Sequence, residues 1–250
     1  MADQSIIRGA IIAAGAGSRL RQAGWTAPKP LVRVAGVPLI EHVIGNFLAA
    51  GIRSLVIIFN EDERDCEEWV QARFSELDLQ IIVKTTASSL ESFREVTARL
   101  GPGRAVVSTV DAWCRAEDFV EFVREAERCP AEATVLAVTP FVADERPLWV
   151  RMDEAGRVAS LGGDAGDVVT AGMYVIPERV RRLTLPAGAK PGGVARLRDF
   201  LAWLVAKGEP VHGVRIPIVV DVDRGEDVAL AEELARRPAG EPAQPLGDVR

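Results

Sequence analysis

Apolar runs of strand length alternate with amphipathic stretches along the first half of the chain. Ile6 to Ala13 is almost continuously apolar, the pattern of a strand buried on both faces of a parallel sheet. Leu39, Ile40, Val43, Ile44, Phe47 and Leu48 follow helical spacing, and Gly51 ends that helix. Leu55–Phe59, Leu79–Val83, Ala105–Thr109 and Thr134–Val138 read as further strands. Between them, helices are predicted from Glu61 to about Phe74, Ser89 to Leu100 and Glu117 to Arg128. Beyond Val138 the pattern changes. Trp149–Met152 and Val158–Leu161 flank Asp-Glu-Ala-Gly, a hairpin turn. Val168–Ile176 is a strand, Ala195–Lys207 a helix, Val211–Val220 a strand pair broken at Pro217, and Glu226–Arg236 a closing helix. A βαβ half thus runs into a mixed half with no repeat and no linker, which predicts one α/β domain over residues 1–237. The Pro-, Gly- and Ala-rich tail 238–250 is expected to be disordered.

With 250 residues, 48% of them hydrophobic, the chain can bury a full core. Its net charge of −6, without a run of basic residues, argues against nucleic acid as a partner. Cys66, Cys114 and Cys129 share no metal or redox spacing and read as reduced thiols of a cytoplasmic protein. No apolar run reaches the roughly 20 residues of a membrane span, and no secretory signal opens the chain. The oligomeric state is not legible.

Chemistry concentrates in Ile11–Leu31, IIAAGAGSRLRQAGWTAPKPL. A strand breaks into Ala13-Ala14-Gly15-Ala16-Gly17-Ser18-Arg19. There is no third glycine at position 20, where Leu20 stands, so the dinucleotide fingerprint fails; no Gly-Lys-Ser/Thr follows for a P-loop either. Gly15 and Gly17 let backbone N–H groups approach an anion. Arg19 can clamp phosphate oxygens, and Lys29 is a compact charge held between Pro28 and Pro30. Together these residues form a polyphosphate site.

The pair IIAAGAGSRL and PKPL, continued by VAGVPLIEHVIGNFLAAGI, resembles the signature of the sugar-nucleotide pyrophosphorylase and nucleotidyltransferase superfamily, including its MobA-like NTP transferase domains. The resemblance implies the nucleotide-diphospho-sugar transferase fold, Rossmann-like with a mixed central sheet flanked by helices. It also implies a Mg²⁺-dependent transfer: a phosphate oxygen of an acceptor attacks the α-phosphorus of an NTP, and pyrophosphate leaves. Ala13, Ala14, Gly15, Gly17, Ser18 and Arg19 would cradle the nucleotide, and Lys29, Arg19 and Asp111 would be catalytic.

Asp111 follows the strand Ala105–Thr109, at the edge where an open α/β sheet binds ligands; the family has Gly where this chain has Val110. A second acidic station, Asp221-Val222-Asp223 with Asp227 after it, is similar to the ending of choline-phosphate and related cytidylyltransferases. Asp111, Asp221 and Asp223 are the candidate Mg²⁺ ligands, whereas Asp227 reads as a helix-terminal carboxylate. That ending leans toward CTP, with UTP, GTP and dTTP open.

Thr86, Ser88 and Ser89 occupy the place where relatives read base and ribose, although Ser88 or Ser89 could equally cap the following helix. Gly172 lies in a segment similar to the family's N-A-G-x-Y, with Thr170 where Asn is usual. The lysine that many sugar-phosphate members place before that strand is missing, so Arg157 or Lys190 must substitute or the acceptor differs; Gly172 and Lys190 are the acceptor-binding candidates. The acceptor is a phosphorylated small molecule: a sugar phosphate, a phosphocholine-like ester or a phosphonate. His42 and His212 read as surface residues, and Trp25 as an anchor of the phosphate loop. A glycosyltransferase of similar fold would need D-x-D after the central strand, where this chain has Asp-Ala-Trp. A catalytically silent nucleotide-binding domain would have no use for Arg19, Lys29 and Asp111 together.

Overall fold

Alternate residues of the first strand face opposite cores, which is why its sequence is apolar throughout. Ile11 and Ala13 pack into one cluster, Ala10 and Ile12 into the other. The computed structural model describes residues 6–142, 146–183 and 195–238. That first strand is β1 (Arg8–Ala13), followed by α1 (Ser18–Gln22), the small hairpin β2 (Arg33–Val34) and β3 (Val37–Pro38), and α2 (Leu39–Ala49). Next come β4 (Ser54–Phe59), α3 (Arg64–Arg73), β5 (Asp78–Val83), α4 (Ser89–Thr97) and β6 (Ala105–Thr109). The second half holds β7 (Ala112–Trp113), α5 (Ala116–Arg128), β8 (Thr134–Thr139), β9 (Trp149–Met152), β10 (Val158–Leu161) and β11 (Val168–Ile176). It closes with α6 (Glu178–Arg181), α7 (Leu197–Ala206), β12 (Val211–Arg215), β13 (Val220–Asp221) and α8 (Gly225–Arg236).

The main sheet runs β10-β9-β11-β6-β1-β4-β5, with β8 pairing both β11 and β12. Strand β1 lies between β4 and β6, parallel to each, with Ile11 opposite Ile57 and Ser108. Strand β11 is antiparallel to β6, so the mixed character begins there. Helices α2, α5 and α8 cover one face through Phe47, Phe119, Phe122 and Leu234, while α4 and α7 cover the other through Phe93, Phe200 and Leu204. The chain crosses from one face to the other between β5 and β6, which places a ligand crevice beyond the carboxyl ends of β1 and β6. This is the mixed, helix-flanked single domain expected from the sequence.

Several short elements escape the periodicity, among them α1, β7 and β13. Helix α1 buries only Leu20, and a single inward residue is too little to register as a pattern. Strands β7 and β13 are two residues each and pair with one another, Val220 opposite Trp113 and Asp221 opposite Ala112. Tail residue Pro238 accepts a hydrogen bond from Arg115 at 3.0 Å, and 239–250 lie outside the described residues. No helix among the described residues is long and apolar enough to cross a membrane.

Candidate active site

Every element that carries a candidate charge ends at the same edge of the sheet. After β6, the Val110 N–H still bonds to the Ile12 carbonyl at 3.0 Å, so Asp111 leaves the sheet beside the end of β1. Its backbone oxygen accepts from the Trp113 and Val222 N–H groups, at 2.8 and 3.0 Å, which fixes the β7–β13 pair across it. That pairing is what brings the distant Asp221 and Asp223 back to Asp111. One carboxylate oxygen from each of the three lies within 4.8 Å of the others.

Lys29 reaches this group from the opposite side. Its residue is 6% exposed, and Nζ donates to Asp111 Oδ2 at 2.6 Å and to Asp223 Oδ1. Arg19 Nη1 donates to Asp223 Oδ2 at 2.8 Å. Gly17 lies at φ 58°, and a Cβ there would sit 3.0 Å from Lys29 Cβ, so this turn and the Pro-Lys-Pro segment are fitted against each other. Burial pushes the Lys29 ammonium down, but the charges of Asp111, Asp223 and Asp221 more than reverse it, and the net direction is up. Burial pushes the Asp111 carboxyl up, yet Lys29 and a Thr109 hydrogen bond hold it below the usual aspartate range. Both groups are therefore charged at neutral pH.

Surrounding residues hold these charges in place. Asp227 Oδ2 accepts from the Asp223 and Arg224 N–H groups at 3.0 and 2.7 Å. It is the third residue of α8, so it closes the helix terminus while orienting Asp223. Asn60 Nδ2 donates to the Ala14 carbonyl at 3.4 Å, and its Oδ1 accepts from Thr85 at 3.0 Å, tying the glycine turn to the loop before α4. Gly15 has open space where a side chain would project. Trp25 packs against the core and lies near the start of α8, where a Cβ on Gly225 would be 3.5 Å from its indole nitrogen.

A cavity of about 330 Å³ opens from the carboxylates. Gly172 forms part of its wall at φ 70°, where a Cβ would meet Thr109 Oγ1 at 2.7 Å and Ala112 Cβ at 2.9 Å. Glycine is required there because β11 must pass this close to the Asp111 loop and shift register against β8. Ser89 lines the cavity and its hydroxyl accepts from the Leu197 N–H at 3.1 Å. Ser88 caps α4 by accepting from Glu91 N–H at 3.2 Å, and the Thr86 hydroxyl pairs with Ser92 at 2.6 Å. Arg157 does not line the cavity; its N–H bonds to Asp153 in the β9–β10 turn. Lys190 lies outside the described residues. His42, read as a surface group, is half-buried, with Nε2 at 3.0 Å from the Val34 carbonyl.

Tyr174, the Tyr of the N-A-G-x-Y-like segment, lines the cavity, and the cavity residues that sequence reasoning missed include Arg146, Arg196 and Arg198. Only the Arg196-Leu197-Arg198 alternation before an apolar helical run gave any signal, and nothing in it named a ligand.

The chemistry of the acidic cluster suits a hard divalent cation. All donors are carboxylate oxygens, with no histidine or cysteine among them. Asp111, Asp221 and Asp223 would hold it, and Lys29 and Arg19 stand against the same carboxylates.

The family model for the MobA-like NTP transferase domain matches residues 9–176. The chain is 30% identical over 240 residues to the bifunctional IPC transferase and DIPP synthase of Rubrobacter xylanophilus, a match covering 90% of this chain and 51% of that protein. It is 28% identical over 209 residues to the CMP-5'-(3-aminopropyl)phosphonate synthase of Streptomyces rubellomurinus, covering 74% of this chain and 31% of that one. The chain thus spans about half the length, or less, of these relatives. The solved inositol-1-phosphate CTP transferase of T. maritima superposes with a TM-score of 0.78 at 18% identity, over 94% of this chain and 98% of that chain.

Proposed function

The chain belongs to the MobA-like NTP transferase family of nucleotidyltransferases, and from that premise we propose that it joins CTP to a phosphorylated small molecule and releases pyrophosphate. The observation that carries the proposal is the Lys29–Asp111–Asp223 contact at the sheet edge, beside a cavity large enough for an acceptor. The ending Asp221-Val222-Asp223 and the CMP- and CTP-using activities of the Streptomyces and T. maritima proteins support cytidine as the base.

An anionic oxygen of the acceptor's phosphate attacks the α-phosphorus. The bond from that phosphorus to the bridging oxygen breaks, its electron pair staying with the departing pyrophosphate. No general base is needed, because a phosphate monoester already carries the attacking charge near neutral pH. The Gly15–Ser18 backbone cradles the triphosphate, and Arg19 meets the charge growing on the leaving group. Lys29 is held at the α-phosphate and the incoming phosphate, where two anions must be brought together. Mg²⁺ on the three aspartates would supply charge neutralisation and alignment. The rest is positioning by residues held before substrate arrives.

A pyrophosphate-release screen tests this reading, with CTP, UTP, GTP and dTTP against sugar 1-phosphates, polyol phosphates, phosphocholine and phosphonates in Mg²⁺. Release that depends on both an NTP and an acceptor is the expected result. Silence across the whole panel would refute it.

A further inference from the structure

The cavity wall carries both signs of charge. It holds the three carboxylates, of which Asp111 is engaged by Lys29 and Asp223 by Lys29 and Arg19. It also contains Arg196 and Arg198, at the start of α7, and Arg146 before β9. Arg198 donates to the Arg146 carbonyl at 2.8 Å, which fixes the two segments side by side. Among the described lining residues, the only acids are Asp111, Asp221 and Asp223. The Tyr174 phenol feels both signs of charge: burial pushes it up, Asp111 and Asp221 push it further, and Arg198 opposes them.

We propose that Arg196 and Arg198, with Arg146 beside them, form an acceptor subsite that selects phosphate esters whose organic part is neutral or anionic and rich in hydroxyls. The same residues select against esters and phosphonates that carry an ammonium. The proposal rests on the reading of the cavity as the acceptor site. When the acceptor's phosphate faces Lys29, its organic part points toward the guanidiniums. Fork-shaped N–H donors suit hydroxyl and carboxylate oxygens and have no acceptor to offer an alkylammonium. Like charges facing each other across a half-enclosed cavity are repelled more strongly than in water. Quaternary ammonium groups are held by clustered aromatic faces, and here the described lining offers Phe141 and Tyr174 with four arginines, Arg19 included.

Isothermal titration of the whole chain, in Mg²⁺ and a non-hydrolysable CTP analogue, tests the subsite without requiring turnover. Inositol 1-phosphate and glucose 1-phosphate are compared with phosphocholine and 2-aminoethylphosphonate. At least one neutral-bodied ester is expected to bind tenfold or more tighter than both ammonium-bearing compounds. The double variant R196Q/R198Q should lose most of that preference while its affinity for the CTP analogue stays unchanged. Ammonium-bearing compounds binding as well as or better than the polyol and sugar phosphates would overturn the proposal, as would a preference untouched in the variant. Failure of pyrophosphate release with every acceptor, alongside the expected binding preference, would instead refute the transferase reading and leave the subsite standing.

Discussion

Replacing Lys29 by Met removes one ammonium from between Asp111 and Asp223 and keeps much of the stem's volume. Deleting one partner of a fully buried ion pair costs about 3–5 kcal/mol. The two aspartate side chains here are 24% and 33% exposed, so water screens part of that loss, and Arg19 still meets Asp223. The expected penalty is about 2 kcal/mol, which for a domain of this size lowers Tm by about 4–8 °C. Two further consequences separate this account from simple damage. A divalent cation added without nucleotide no longer competes with Lys29 for the carboxylates, so K29M should gain more Tm from millimolar Mg²⁺ or Mn²⁺ than the wild type. Turnover should fall about 10²–10³-fold, the usual loss for one donor aimed at transition-state charge. Differential scanning fluorimetry in chelator and in metal, with pyrophosphate release alongside, reads all three. A variant as stable as wild type in chelator, equally responsive to metal and within a few-fold of its activity would refute the role given to Lys29.

Asp111→Asn keeps the shape but weakens both the hold on Lys29 and the cation site, and Mg²⁺-dependent turnover should fall at least a hundredfold with the circular dichroism spectrum unchanged. Asp227→Ala leaves the Asp223 and Arg224 N–H groups without their acceptor. About 1 kcal/mol of stability should go, and the Mg²⁺ concentration for half-maximal activity should rise; an unchanged metal requirement would show that Asp223 is held some other way. Gly172→Ala imposes an unfavourable φ and drives a Cβ into Thr109 and Ala112, so activity should drop with a loss of about 1–3 kcal/mol in urea unfolding. Glu63 is almost fully buried beside Arg21, and burial raises its carboxyl above the usual range. An acid whose folded pKa is raised binds more protons folded than unfolded, so wild-type stability should decline as pH rises from the ordinary glutamate range through that elevated value. Glu63→Gln should remove this decline, and parallel pH profiles would contradict it.

Most of the fold was legible because its signals are local. β1, β4 and β6 are buried on both faces and read as apolar runs, the edge strand β5 still shows its Leu79–Val83 run, and α2 and α4 each present an apolar stripe. The phosphate turn was legible for a chemical reason: two glycines one residue apart, an arginine and a proline-flanked lysine have few other uses. What stayed hidden depends on long-range pairing. Asp221 and Asp223 were joined to Asp111 through the family resemblance, whereas the two-residue strands β7 and β13 that bring them together are too short to show any period. Arg146, Arg196 and Arg198 meet at one cavity although they come from two separate segments. Ser88 looked equally suited to a base or to a helix cap, and only the geometry showed its hydroxyl at Glu91 N–H.

The most direct measurement follows the α-phosphorus itself, using CTP labelled at that position with Mg²⁺ and a phosphorylated polyol. Label is expected in a cytidine-containing adduct with the acceptor, with one unlabelled pyrophosphate released per adduct, and both should vanish together in K29M. Label recovered only as CTP, or as free CMP with no acceptor attached, would contradict the transfer assigned to this site.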